Sequence, residues 1–173
     1  NSGFGYGDDD DETIIPPTIS VFIRKIFTLD DISEIASAIL HMDYDDGFVA
    51  YINGHEIARI GLVGKPPLFN EHASGNPAND YEANWFRGLP IEGFEIADIQ
   101  NILQVGENCI AIQVHNVNIE SSDLTAIPIL SFGYSVEQES FKPVSSFITL
   151  SSIESSSLVF PFKLPAKGET LYL

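Results

Sequence analysis

One cysteine, one methionine and one tryptophan occur in 173 residues, and Lys and Arg total 8 against 25 Asp and Glu. The lone Cys109, in "NCIAIQVHN", excludes an internal disulfide and any multi-cysteine zinc site. Inside an alternating apolar run it reads as a small buried hydrophobe, with no placed base to make it a nucleophile. The net charge of −17 repels phosphate backbones and argues against nucleic acid as a partner and against an anionic membrane surface. Such a surface serves solubility without any ligand, and it also suits cations. No stretch approaches the ~18–20 apolar residues of a membrane span, so no membrane insertion is expected. No signal peptide is visible, and the opening "NSGFGYGDDDDE" reads as a chain cut mid-sequence.

Catalytic signatures are missing as well. His41, His55, His72 and His115 make no H-x-H, H-x-x-x-H or H-E-x-x-H spacing, so zinc has no local signature. No G-x-S-x-G, P-loop or helix-opening G-x-G-x-x-G occurs, and no serine or cysteine is set against a base and an acid. Paired glycosidase carboxylates have no spacing rule that would single out two of 25 acids. The chain is therefore expected not to be an enzyme.

What the sequence does have is 12 Phe and 6 Tyr and few helix-forming blocks, which favours strands. "SVFIRKIFTL" (20–29) is a strand apolar on both faces, as if covered on both sides. In "LDDISEIAS", Asp30 or Asp31 is placed to cap one helical turn. "SAILHMDY" alternates, with Ala38, Leu40, Met42 and Tyr44 on one face. Asp45-Asp46-Gly47 then carries ordinary hairpin chemistry. "FVAYI" returns with Phe48, Ala50 and Ile52 on one face, and Asn53-Gly54 is a strong hairpin signal because both residues need positive φ. "HEIARI" completes an expected three-strand meander. Residues 61–88 lack periodicity, as a functional loop or a cover for a sheet edge would. "IEGFEIADIQNIL" suggests a strand and one helical turn. "VGENCIAIQVHNVN" is a strand with Ile110, Ile112 and Val114 on one face. "LTAIPILSFGYSV" is another, in which Pro128 suggests an edge or a bulge.

Many short strands and little helix point to an all-β, antiparallel β-sandwich over residues 1–137. Residues 138–173 read as a linker and a short β-rich C-terminal extension, either the start of a second β-unit or extra docked strands.

Three groups of residues are candidates for chemistry. Asp8, Asp9, Asp10 and Asp11, followed by Glu12, crowd carboxylates into a Gly-rich loop, which must be solvated or neutralised by a cation. Ca²⁺ fits such a set of hard oxygens. Asp45 and Asp46, with Asp43, form a second cluster, although "DYDDG" departs from the EF-hand pattern and also fits a plain turn. Trp85 with Arg87, Tyr81 and Asn76 gives the long loop an aromatic face and planar polar groups suited to a sugar; the alternative is that Trp85 or Phe86 plugs an end of the sandwich. His115 and Asn116, with Ser121, Ser122 and Asp123, either line a polar site or satisfy loop backbone.

The ordered stretches "GFGYGDDDDETII", "VFIRKIFTL", "DYDDGFVAYINGHEIAR", "PPLFNEHASG" and "VGENCIAIQVHNVNIESSDL" resemble a jelly-roll, galactose-binding-like accessory domain of bacterial secreted proteins. Such domains are found beside spore-coat-protein-H-type kinase-like, metallophosphoesterase and lamin-tail domains. The resemblance covers roughly residues 3–135, and it departs from the family in lacking a Trp-containing stretch before "GYG". "FPFKLPAKGETLYL" is similar to the opening of a lamin-tail-type immunoglobulin-like domain. The resemblance implies a non-catalytic module, secreted or at the cell surface, with carbohydrate or a cell-envelope component as ligand and neighbouring domains of the same chain as partners. The alternative is a structural spacer that positions a neighbouring catalytic domain. Fold analogy of this kind names no ligand.

Overall fold

A computed structural model of the chain describes residues 3–7, 12–74, 82–135 and, for the backbone alone, Phe86 and 157–161. Ten strands follow in chain order: β1 (Phe4–Tyr6), β2 (Thr13–Ile14), β3 (Ser20–Leu29), β4 (Ile35–Asp45), β5 (Gly47–Ile52), β6 (His55–Ile60), β7 (Glu92–Glu95), β8 (Gly106–His115), β9 (Leu124–Tyr134) and β10 (Ser157–Pro161). One sheet, A, has the order β2-β1-β9-β4-β7, and β10 also pairs with β9; the other, B, has the order β3-β8-β5-β6. Apart from the parallel β1–β2 pair, the ladders are antiparallel.

Without the short β2 and β10, the orders 1-9-4-7 and 3-8-5-6 are those of a jelly roll. Every connection among these eight strands crosses from one sheet to the other except the β5–β6 hairpin. The period-2 pattern then builds the core. Ala38, Leu40, Met42 and Tyr44 of β4, with Leu124, Ala126, Leu130 and Phe132 of β9, face Phe48, Ala50 and Ile52 of β5 and Ile110, Ile112 and Val114 of β8, all buried in one cluster. Burying each larger side chain contributes roughly 1.5–3 kcal/mol. Tyr44 and Phe48 bridge the sheets with ring centroids 4.7 Å apart, and Phe94 meets Phe48 edge-on at 5.3 Å.

The Asn53-Gly54 turn joins β5 to β6 as a hairpin, with φ of 50° and 83°. Four other local expectations change. The expected meander is not formed: β4 lies in sheet A and β5 in sheet B, so Asp45-Asp46-Gly47 is a corner between layers. Gly47 is needed there for close approach, since a Cβ would stand 3.0 Å from both Ala73 Cβ and the Ile60 carbonyl oxygen. β3 is covered on one face only, with Val21 and Ile23 in the core and Arg24, Ile26 and Thr28 exposed, because a two-layer sandwich buries only the inner face of each sheet. Asp31 caps no helix; its carboxylate accepts the Ser33 N–H at 2.8 Å in a turn that leads into β4.

Pro128 lies in a central strand rather than at an edge. It pairs with Met42 of β4, while the other side of β9 is shared by β1, which reaches Ala126, and β10, which reaches Ile129. The residue that has no N–H sits where that ladder is broken, so no ladder bond on that side asks for its donor.

Candidate functional site

β4, β8 and β1 all end, and β9 begins, at the same rim of the sandwich: Asp45 is opposite Thr125, Tyr6 is opposite Leu124, and Gly47 is opposite His115. Loops from distant parts of the sequence therefore meet here. Asp43 and Asp45, two residues apart on β4, point to the same side, away from the core-facing Met42 and Tyr44. Asp43 is buried, and its two carboxylate oxygens accept the backbone N–H groups of Asn84 and Trp85, each at 2.8 Å. Those charge-assisted bonds fix the segment that leads through the 3₁₀ turn Trp85–Arg87 toward β7.

Glu82, two residues before Asn84, is thereby brought to Asp45. Asp123, one residue before β9, completes a group of three carboxylates that each offer one oxygen within 4.8 Å of the other two. Asp45 is buried, Asp123 half-buried and Glu82 exposed, so the group opens from the interior toward solvent. Close packing at this rim also requires Gly7, whose φ is 105° and where a Cβ would collide with the Ser122 carbonyl and stand 2.9 Å from Asp123 Cα.

The electrostatics follow from the geometry. Burial first, then the charges of Asp46, Asp123 and Glu82, push the Asp45 carboxyl up to about 9. Without a cation it holds its proton at neutral pH. Burial, and then the Asp123 and Asp45 carboxylates, also hold the Tyr6 phenol above its ordinary range, against the pull of a hydrogen bond from Asn116. The Asn116 amide donates to Tyr6 Oη at 2.8 Å and to the Thr18 carbonyl at 2.7 Å, while its buried Oδ1 has no hydrogen-bond partner. A trio of acidic oxygens of this kind is a donor set that a hard cation could use. It offers neither the nitrogen nor the sulfur that zinc prefers.

The predicted site residues separate accordingly. Asp8, Asp9, Asp10, Asp11, Asn76 and Tyr81 lie outside the described residues. Asp45 is in the trio, but Asp46 is not: its Oδ2 accepts the Val117 N–H at 2.7 Å, tying the inter-sheet corner to the end of β8. His115 and Asn116 offer no surface to a ligand. Both are wholly buried, and the His115 Nδ1 lies 2.7 Å from the Glu71 carbonyl oxygen. Burial pulls the His115 imidazole below its ordinary range, against that carbonyl. Trp85 plugs nothing, being 48 % exposed, and Arg87 is exposed on the same turn.

Glu82 and Asp123 were not among the residues expected to hold a cation. Asp123 sits directly before the strand whose first residues pair with the end of the "DYDD" strand, which only the strand pairing reveals, and Glu82 has no local signal.

No protein-family model matches the sequence, and no curated protein matches it. Solved structures with a related arrangement include α-L-rhamnosidases. That of Streptomyces avermitilis, complexed with L-rhamnose, aligns at 16 % identity over 69 % of this chain and 9 % of its own, with a TM-score of 0.44. That of Aspergillus terreus aligns at 16 % identity over 94 % and 16 %, TM-score 0.47. That of Dictyoglumus thermophilum aligns at 14 % identity over 92 % and 14 %, TM-score 0.43. This chain thus spans 9–16 % of the length of those enzymes.

Proposed function

We propose that this chain is a non-catalytic accessory module of a secreted or cell-surface protein, which binds carbohydrate or a cell-envelope component at the Trp85 rim. A structural Ca²⁺ held by Asp45, Glu82 and Asp123 would brace that rim. The observation that carries this reading is the mounting of Trp85. It is a half-exposed indole on a turn held by two hydrogen bonds to the buried Asp43, in the same segment as Glu82. Sugars pack their C–H faces on such rings, and a pre-set turn spares the ordering cost of a mobile loop.

The three carboxylates fit a calcium ion in charge and in donor type, leaving further positions for backbone carbonyls or water. When bound, the ion would supply charge neutralisation, and Asp45 must give up its proton to receive it. The chain's own residues then do the positioning: β4 supplies Asp45, the Asp43-anchored segment supplies Glu82, and the start of β9 supplies Asp123.

A glycan array and affinity electrophoresis test the binding role, with loss of binding expected in Trp85→Ala. Uniformly negative arrays, with no thermal shift from any sugar, would replace this reading with that of a spacer domain. For the cation, EDTA should lower Tm and Ca²⁺ restore it; an unchanged melt would reject the calcium.

A further inference from the structure

Sheet B buries one face and leaves the other open. On the open face the register sets Phe22 opposite Gln113, and Arg24, Ala111 and Tyr51 in one cross-strand row. Cys109 and Ala111, in the middle, are small. Phe22 and Arg24 stand taller on the edge strand β3, and Tyr51 and Pro66 on the far side. The result is a trough of about 660 Å³, within the ~300–1,000 Å³ usual for small-ligand sites. Loop residues Leu62 and Ala73 pack on Val49 with Tyr51 against them, which fixes the far wall. Arg59 ties the same loop down through the carbonyls of Leu62 and Gly64, at 3.2 and 2.7 Å.

The charge here runs against that of the whole molecule. In a chain of net charge −17, none of the residues lining the trough is acidic, and one is Arg24. Among the described residues this exposed guanidinium has no hydrogen bond or ion pair. Arg59, beside Tyr51, is already paired with Glu56 at 2.7 Å, so the charge free for a ligand is that of Arg24. Gln113 lies along the floor, its Oε1 3.3 Å from His115 Nε2, with its amide nitrogen unpartnered among the described residues. An unpaired planar cation, two ring faces and a free amide donor on one concave surface define the complement of a ring-shaped, carboxylate-bearing ligand.

We propose that this trough binds an acidic carbohydrate, a uronic-acid oligosaccharide, with its carboxylate on Arg24, its sugar face against Phe22 or Tyr51 and its hydroxyls toward Gln113. The site lies on the other sheet from Trp85 and needs no cation. It extends the carbohydrate-binding reading to a second surface and a stated ligand class. A protein of such negative charge gains nothing from non-specific attraction to an anion, so binding reports the local pairing.

The test is calorimetry on the full chain with trigalacturonate, its methyl ester and a triglutamate peptide, using the native protein, Arg24→Gln and Trp85→Ala. Arg24 is exposed and unpaired among the described residues, so its replacement leaves the fold intact. Trigalacturonate should bind the native protein and Trp85→Ala equally. Arg24→Gln, and separately the methyl ester, should each weaken binding about tenfold or more, the loss of one charge-assisted pair of about 1.4 kcal/mol. No heat with trigalacturonate at millimolar concentration, equal binding by Arg24→Gln, or equal binding of the triglutamate peptide would each overturn the proposal. If sugar binding is lost in Trp85→Ala and kept in Arg24→Gln, the trough is wrong and the Trp85 rim stands. If the glycan array is negative as well, both readings fail.

Discussion

The two ends of the sandwich both bury polar side chains, and they resolve them in opposite ways. At the Asn53-Gly54 end, the Asn53 amide donates to the Ile102 carbonyl at 2.9 Å and to Asn108 Oδ1 at 2.8 Å, and its Oδ1 accepts the Cys109 N–H at 2.9 Å. Asn108 Oδ1 also accepts the Gln104 N–H at 3.0 Å, and its amide donates to the carbonyls of Gln104 and Gly106 at 2.8 and 3.0 Å. At the Asp45 end, three carboxylates converge and a buried Asn116 oxygen has no partner. Amides both donate and accept, so a few of them close a network among themselves. Ionised carboxylates only accept, so a group of them requires protons, donors or a cation. One end closes its polar groups among themselves, and the other leaves a buried acceptor open beside carboxylates that could take a cation.

The largest effect should come from breaking the complete end. Asn108→Ala removes acceptors and donors from a buried network and leaves Asn53 and the Gln104 backbone unsatisfied. It should cost about 3 kcal/mol, read as a lower urea midpoint with unchanged m. A loss below about 1 kcal/mol would mean that water replaces the side chain easily.

Next comes completing the incomplete end. Ca²⁺ at 100 times its Kd should stabilise the native protein by about 2.7 kcal/mol, and Asp45→Asn or Asp123→Asn should abolish most of that gain. A gain that survives in both variants would place the ion elsewhere.

The third effect is the pH dependence of the cation-free protein. The folded Asp45 carboxyl is raised to about 9, whereas the unfolded one titrates near its ordinary value. The folded state therefore holds one more proton across that interval. The contribution from this group is full below the unfolded pKa and is lost as pH rises toward 9, at up to about 1.4 kcal/mol per pH unit. With EDTA present, the native protein should lose stability from pH 5 to 8 more steeply than Asp45→Asn, and excess Ca²⁺ should flatten the difference. Equal slopes in the two proteins would show that Asp45 is ionised without a cation.

The smallest effect on stability is expected at the exposed rim. Trp85→Ala should shift the melt by less than about 0.5 kcal/mol while losing any glycan that binds there. A larger shift would make Trp85 a packing residue after all.

Much of the fold was legible because alternation is a local property. The inward sets of "SAILHMDY" and "CIAIQVH" follow from a period of 2 and a single buried face, and Asn53-Gly54 declares its own backbone angles. Asp45-Asp46-Gly47 was misread because its local chemistry suits a hairpin as well as a corner between layers. The choice falls to which sheet the next strand joins. Pro128 misled in a related way: its position in a central strand is tolerated because neither β1 nor β10 reaches it on that side.

The site was legible in part. Asp45 was named from its cluster, but its partners were taken to be sequence neighbours. Asp46 is instead drawn off to the Val117 N–H, and His115 and Asn116 are buried by the loops that cross them.

The amino-acid order by itself determined most of the longer strands, the inward sets of β4, β5 and β8, the β5–β6 reversal and the strong negative charge, since all of these depend on residues within a few positions of one another. Only the tertiary structure decided that Asp45, Glu82 and Asp123 share one space and that Arg24 faces Tyr51 across Ala111. Those meetings depend on β4 lying beside β9 and β8 lying between β3 and β5. Such pairings are fixed by closing the two sheets over a common core, not by any local preference of the chain.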